Sequence, residues 1–115
     1  MRDYKKYTVW KLGHEVTLDI YRLTQRFPKE ESYGLTSQMR RSSSSIPANI
    51  AEGCGRESDA EFKRFLTISQ GSASELEYFT ILAKDLNYMN NDDFSLINDK
   101  VNKVKRSINS LIKKI

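Results

Sequence analysis

Apolar residues recur along this chain at the spacing of a helix and nowhere at the alternation of a strand. Leu12, Val16, Ile20, Leu23 and Phe27 stand 4, 4, 3 and 4 apart, which puts them on one helical face. With Thr8 as the expected N-cap and Pro28 as the stop, a first helix is predicted over about 9–27. The linker Lys29 to Gly34 is short, polar and glycine-ended, a connection suited to antiparallel neighbours. Leu35, Met39, Ser42, Ile46 and Ile50 mark a second helix over about 35–52, ended by Gly53 and Gly55. Pro47 falls inside it, deletes the hydrogen bond to the Ser43 carbonyl and is expected to kink the helix, with nearby serine hydroxyls available to the freed groups.

Ser58-Asp59-Ala60-Glu61 has the form of a capping box. Phe62, Phe65, Leu66, Ser69, Ala73, Leu76, Phe79, Leu82 and Leu86 follow at helical spacing, predicting a third helix over about 59–87. After a break at Asn87 to Asn91, Asp92 and Asp93 suit a helix N-terminus, and Ile97, Val101, Val104, Ile108, Leu111 and Ile115 define a fourth helix over about 92–114. Four amphipathic helices on short loops make an all-α, up-down-up-down four-helix bundle filling residues 1–115 as a single domain. A hairpin turning between Gly55 and Arg56 would set Ser42 to Ser44 level with Gly71 to Ser69, two strips of small side chains. It would also bring Arg40 and Arg41 within reach of Glu75 for a salt bridge.

Composition narrows the chemistry. One cysteine and one histidine allow neither an intrachain disulfide nor a Cys/His zinc site. His14-Glu15 lacks the second histidine of a zinc-protease helix, because Leu18 stands there. A di-iron bundle needs two Glu-x-x-His pairs, and Gly53-Cys54-Gly55 follows no strand and lacks the third glycine of a dinucleotide loop. Glu75 and Glu77 lie on different helical faces, and Cys54 has only His14, on another helix, as a base. A non-enzyme without metal or cofactor is therefore expected. The charged start, Met1 to Lys6, precedes no apolar run of signal-peptide length, and no membrane-spanning stretch follows, so the expected location is the cytoplasm.

The net charge of +4 favours anionic partners. After Asp99 the chain carries Lys100, Lys103, Lys105, Arg106, Lys113 and Lys114 and no acidic residue. Lys103, Arg106 and Lys113 fall roughly opposite the Ile97–Ile115 seam. They read either as a solvated face favouring the helix C-terminus or as a stripe replacing counterions on nucleic acid. Arg22, Arg26 and Lys29 form a second cluster, and Arg40 completes the basic candidates. Aromatic residues do not interleave with either cluster, which argues against sequence-specific single-strand reading. Trp10, Tyr78 and Tyr88 are expected at helix edges. The close-set apolar residues of the third helix (Phe65 and Leu66, Phe79 and Ile81, Leu82 and Ala83) give it a wide apolar sector that hints at self-association.

Gln38 to Gly53, with its Ile-Pro-Ala-Asn-Ile-Ala-Glu-Gly core, and Glu61 to Glu77 resemble the signature of the four-helix bundle proteins encoded in 23S rRNA intervening sequences. The likeness runs over roughly residues 9–90. It implies a left-handed bundle assembling as a ring, a homopentamer. Related accessory proteins of diversity-generating retroelements bind nucleic acid and a reverse transcriptase through such rings, whereas the rRNA link of this branch is one of gene location. The resemblance implies structural roles for Arg41, Pro47, Asn49, Glu52, Gly53, Gly71 and Glu75: Pro47 setting a kink, Asn49 and Glu52 satisfying groups near it, Arg41 with Glu75 pinning the central hairpin. Ser42, Ser43, Ser44 and Ser69 stand where the family prefers alanine or valine, which makes that contact more polar. The resulting expectation is an oligomeric adaptor that binds RNA or DNA through basic surface residues. The alternative is a scaffold that binds only protein.

Overall fold

A computed structural model describes residues 2–115. It holds four helices, α1 (Thr8–Thr24), α2 (Leu35–Cys54), α3 (Asp59–Asp85) and α4 (Asn91–Lys113), with short 3-10 turns at Tyr4–Lys6 and Lys29–Glu31 and no strand among the described residues. Each helix packs on its neighbours in sequence, α1 closes against α4, and the diagonal pairs do not touch. Cross-helix contacts fix the directions. Thr17 meets Ser43 while Thr24 meets Arg40, Ser45 meets Ser72 while Gly53 meets Phe65, and Glu15 meets Lys100 while Arg26 meets Asp93. Neighbours therefore run antiparallel, as an up-down-up-down bundle 43 Å long. Val16, Ile20, Met39, Ile46, Ile50, Leu66, Leu76, Ile97, Val101, Val104 and Ile108 fill its centre. These are the positions that the helical spacing marks out.

The ends differ from expectation for local reasons. Thr8 is the first helical residue rather than the cap; Tyr7, in extended backbone, precedes it and offers no capping side chain. α1 stops at Thr24 rather than Phe27. The Thr24 hydroxyl donates back to the Ile20 carbonyl at 2.7 Å, and the amides of Arg26 and Phe27 reach back only three residues, to Leu23 and Thr24. That tightened turn still delivers Phe27 to the core. Glu31 starts α2 by accepting from the Leu35 amide at 3.1 Å, and a Cβ on Gly34 would displace that carboxylate oxygen. Its second oxygen accepts from the Tyr88 hydroxyl at 3.0 Å, tying the α1–α2 and α3–α4 loops together. Ser58 caps α3 by accepting from the Glu61 amide, but the Glu61 carboxylate pairs with Arg64, so half of the capping box forms. Asn87, at φ 63°, ends α3 with the Tyr88 amide on the Ala83 carbonyl. Asn90 then caps α4.

α2 stays helical through Pro47. The Ser43 carbonyl that Pro47 cannot serve accepts instead from the Thr17 hydroxyl of α1 at 2.9 Å, so the partner is not one of the neighbouring serines. That hydroxyl also lies 2.8 Å from the Gly13 carbonyl, so its one proton is shared between two acceptors. A Cβ on Gly13 would come within 2.9 Å of Ile46 Cγ2; the bare backbone is what lets α1 approach this close. On the α3 side, Ser69 donates to the Ile46 carbonyl and Ser45 bonds Ser72, each at 2.9 Å. The facing strips therefore sit about half a turn from the expected register: Ser69 lies level with Ile46 rather than with Ser44.

Candidate nucleic-acid interface

The basic candidates separate into two groups once the helices are assembled. Lys103, Arg106 and Lys113 are exposed and make no ion pair among the described residues. At 3.6 residues per turn they fall within about 80° of one another, on the side of α4 away from buried Val101, Val104 and Ile108. Lys114 lies beside them against the start of α1, near Tyr7, Thr8, Ser107 and Ser110.

Arg22, Arg26, Arg40 and Lys100, and Lys105 with them, each have a partner within the chain. Lys100 donates to Asp19 at 2.6 Å and to Glu15 at 3.0 Å, joining α4 to α1. Asp19 is 4% exposed, a buried carboxylate that needs such partners, and Arg22 supplies another. The bond from Asp19, with Glu15 adding to it, holds the Lys100 ammonium above its ordinary value against the opposing effect of burial. Arg26 reaches Asp93 at the start of α4, at 3.1 Å. Arg40 turns away from α3, donating to the Thr24 hydroxyl and the Tyr21 carbonyl with its guanidinium 4.8 Å from the Tyr21 ring centre. Lys105 pairs with Glu77 on α3.

A third group escaped the sequence reading. Along the outside of α1, Trp10 stacks on His14 with ring centres 5.1 Å apart and planes 10° from parallel, and Tyr4 leans on Trp10 at 5.2 Å. The spacing of Trp10, His14, Leu18 and Tyr21 was a usable signal, but they lie outside the core stripe and were not read as a set. Elsewhere Cys54 is buried, and that burial pushes its thiol up, away from a reactive thiolate. No helix among the described residues is long and apolar enough to cross a membrane.

Over residues 5–110 the sequence matches the 23S rRNA-intervening sequence protein family. The chain belongs to that family. A crystal structure of a protein of unknown function from the S23 ribosomal protein family of Bacteroides thetaiotaomicron VPI-5482 is similar, with 27% identity and a TM-score of 0.83 over 92% of this chain and 99% of the other. No match was found among curated proteins.

Three of the positions to which the likeness to 23S rRNA-intervening sequence proteins assigns structural roles have a visible local task. Pro47 frees the carbonyl that Thr17 takes up, and the Asn49 amide donates to both the carbonyl and the hydroxyl of Ser45 at 2.8 Å. Gly53 is required by packing, since a Cβ there would meet Phe65 Cβ at 2.9 Å. Four others differ. Glu52 is exposed and pairs with Arg56 one turn on, not with groups beside Pro47. Arg41 and Glu75 line the same groove between α2 and α3, with Ser45 and Ser72 on its floor, but form no ion pair. Gly71 faces open space, where a Cβ would meet nothing within 4 Å, so no close helix approach explains it within one chain.

Proposed function

We propose that this 23S rRNA-intervening sequence protein is a non-enzymatic, self-associating helical adaptor of the cytoplasm that holds RNA or DNA by its phosphates. The observation that carries the reading is the trio Lys103, Arg106 and Lys113, exposed on one face of α4 and in no ion pair among the described residues. Fixed cations at helical spacing displace condensed counterions from a phosphate backbone, a gain that needs no reactive group and no base contact. The buried, up-shifted Cys54 thiol and the ordinary partners found for most other charges favour binding over catalysis. A left-handed bundle closed into a homopentameric ring is the assembly that the family likeness favours, and a ring would repeat the trio around its circumference. Exposed Ile68, Tyr78 and Ile81 on α3 are its candidate contacts.

Gel-shift titration of a structured RNA at several salt concentrations tests the binding: affinity should fall steeply as salt rises, and no binding at low salt would refute it. Light scattering should report about five times the 13.4 kDa subunit, and a lone subunit would refute the ring. The second reading is a scaffold for protein alone, using the same exposed α3 residues. It requires a partner that stays bound after nuclease treatment and ignores Lys103→Glu with Arg106→Glu.

A further inference from the structure

The outer stripe of α1 combines stacked rings with exposed lysines, whereas the α4 face has exposed cations and no rings. Trp10, His14, Leu18 and Tyr21 stand 4, 4 and 3 residues apart, within about 80° on the helix and roughly 16 Å from end to end. Trp10 is anchored against the core, whereas His14 is exposed, Leu18 is 53% exposed and Tyr21 44%. His14 covers one face of Trp10 and the Arg40 guanidinium lies over Tyr21 at the far end, so the exposed His14 ring is the outer member of the stack. Lys5 and Lys6, in the turn before α1, and Lys11, on α1 next to Trp10 in sequence, are exposed and make no ion pair, with the Lys5 ammonium 5.8 Å from the Tyr4 ring centre. Their nearest acid in sequence, Asp3, is occupied in capping the Tyr4–Lys6 turn, and Glu15 is turned to Lys100.

We propose that this stripe is a stacking platform for unpaired bases, on which Lys5, Lys6 and Lys11 hold the phosphates of the same single strand. The inference rests on the reading of the chain as a nucleic-acid binder and adds to it a second surface of different chemistry. α4 offers charge alone, suited to any phosphate backbone; the α1 stripe offers ring faces, which only an unpaired base can reach. Stacking tolerates any base, so the platform selects single strands without selecting sequence. A second copy of the chain fits this face poorly, since two like faces would bring their lysines together.

Trp10 is the only tryptophan, so the site carries its own reporter. A short oligouridylate should quench its fluorescence at low salt, and a blunt RNA duplex of equal length should not. His14→Ala and Leu18→Glu alter exposed side chains and should each weaken oligouridylate binding roughly tenfold with unchanged dichroism. Charge reversal at Lys103 and Arg106 should weaken duplex binding while sparing the Trp10 quench. Oligouridylate binding that ignores both α1 variants would overturn the platform and leave the α4 reading intact. A change of oligomeric mass in His14→Ala, with RNA binding unaltered, would overturn it in favour of a protein contact. Absence of all RNA binding would remove both readings.

Discussion

Lys100 and Lys103 lie one turn apart on α4, yet they are doing different things. Lys100 faces α1, where a buried Asp19 and a flanking Glu15 enclose its ammonium and leave it 29% exposed. Lys103 faces outward with Arg106 and Lys113, and no carboxylate from any other helix reaches them. The first is a cross-brace that makes a buried carboxylate tolerable; the second belongs to a surface that still has charge to offer. A run of basic residues in sequence is thus not one feature but two. What divides it is the neighbouring helix, because α1 brings acids to one edge of α4 and none to its outer side.

Replacing Lys103, Arg106 and Lys113 together by glutamate should give the largest effect, lowering low-salt affinity for structured RNA by about a hundredfold without moving the thermal midpoint. Lys100→Gln should do the reverse. It removes one of two cationic partners of Asp19 and should cost about 2 kcal/mol in denaturant unfolding, while the folded fraction binds RNA as before. That loss has a pH signature. Because the folded protein raises the Lys100 value above 10.5, its contribution is complete below the ordinary lysine range and fades as pH climbs through the raised value. The stability gap between wild type and Lys100→Gln should therefore stay constant through neutral pH and close in strong alkali. The smallest effect belongs to Arg26→Gln: its pair with Asp93 leaves the arginine 64% exposed, and thermal unfolding should shift by no more than about 0.5 kcal/mol.

Helix number, order and core were legible in the sequence because each helix buries one stripe, and a stripe is a local property of spacing. Ile97, Val101, Val104 and Ile108 could be placed inside from their intervals alone. Partnerships across helices were not, because they depend on register. A shift of about half a turn between α2 and α3 moved Ser69 from Ser44 to Ile46, and Arg41 and Glu75 lie along one groove without pairing. The same limit hid Thr17 as the answer to Pro47: a threonine on the margin of another helix's stripe carries no mark of the carbonyl it will meet. For the candidate site, the outward direction of Lys103, Arg106 and Lys113 followed from helical phase. The capture of Lys100, Arg22 and Arg26 by acids distant in sequence or buried did not. Arg40 was misplaced for a related reason, since Tyr21 and Thr24 outcompete Glu75 only once α1 lies alongside.

The most direct test is the salt dependence of RNA binding, compared between the wild-type chain and one carrying Lys103→Gln, Arg106→Gln and Lys113→Gln. If these three side chains hold phosphates, the slope of log affinity against log salt should become shallower by about one for each contact removed. Equal slopes for the two proteins would mean that the outer face of α4 does not touch the nucleic acid.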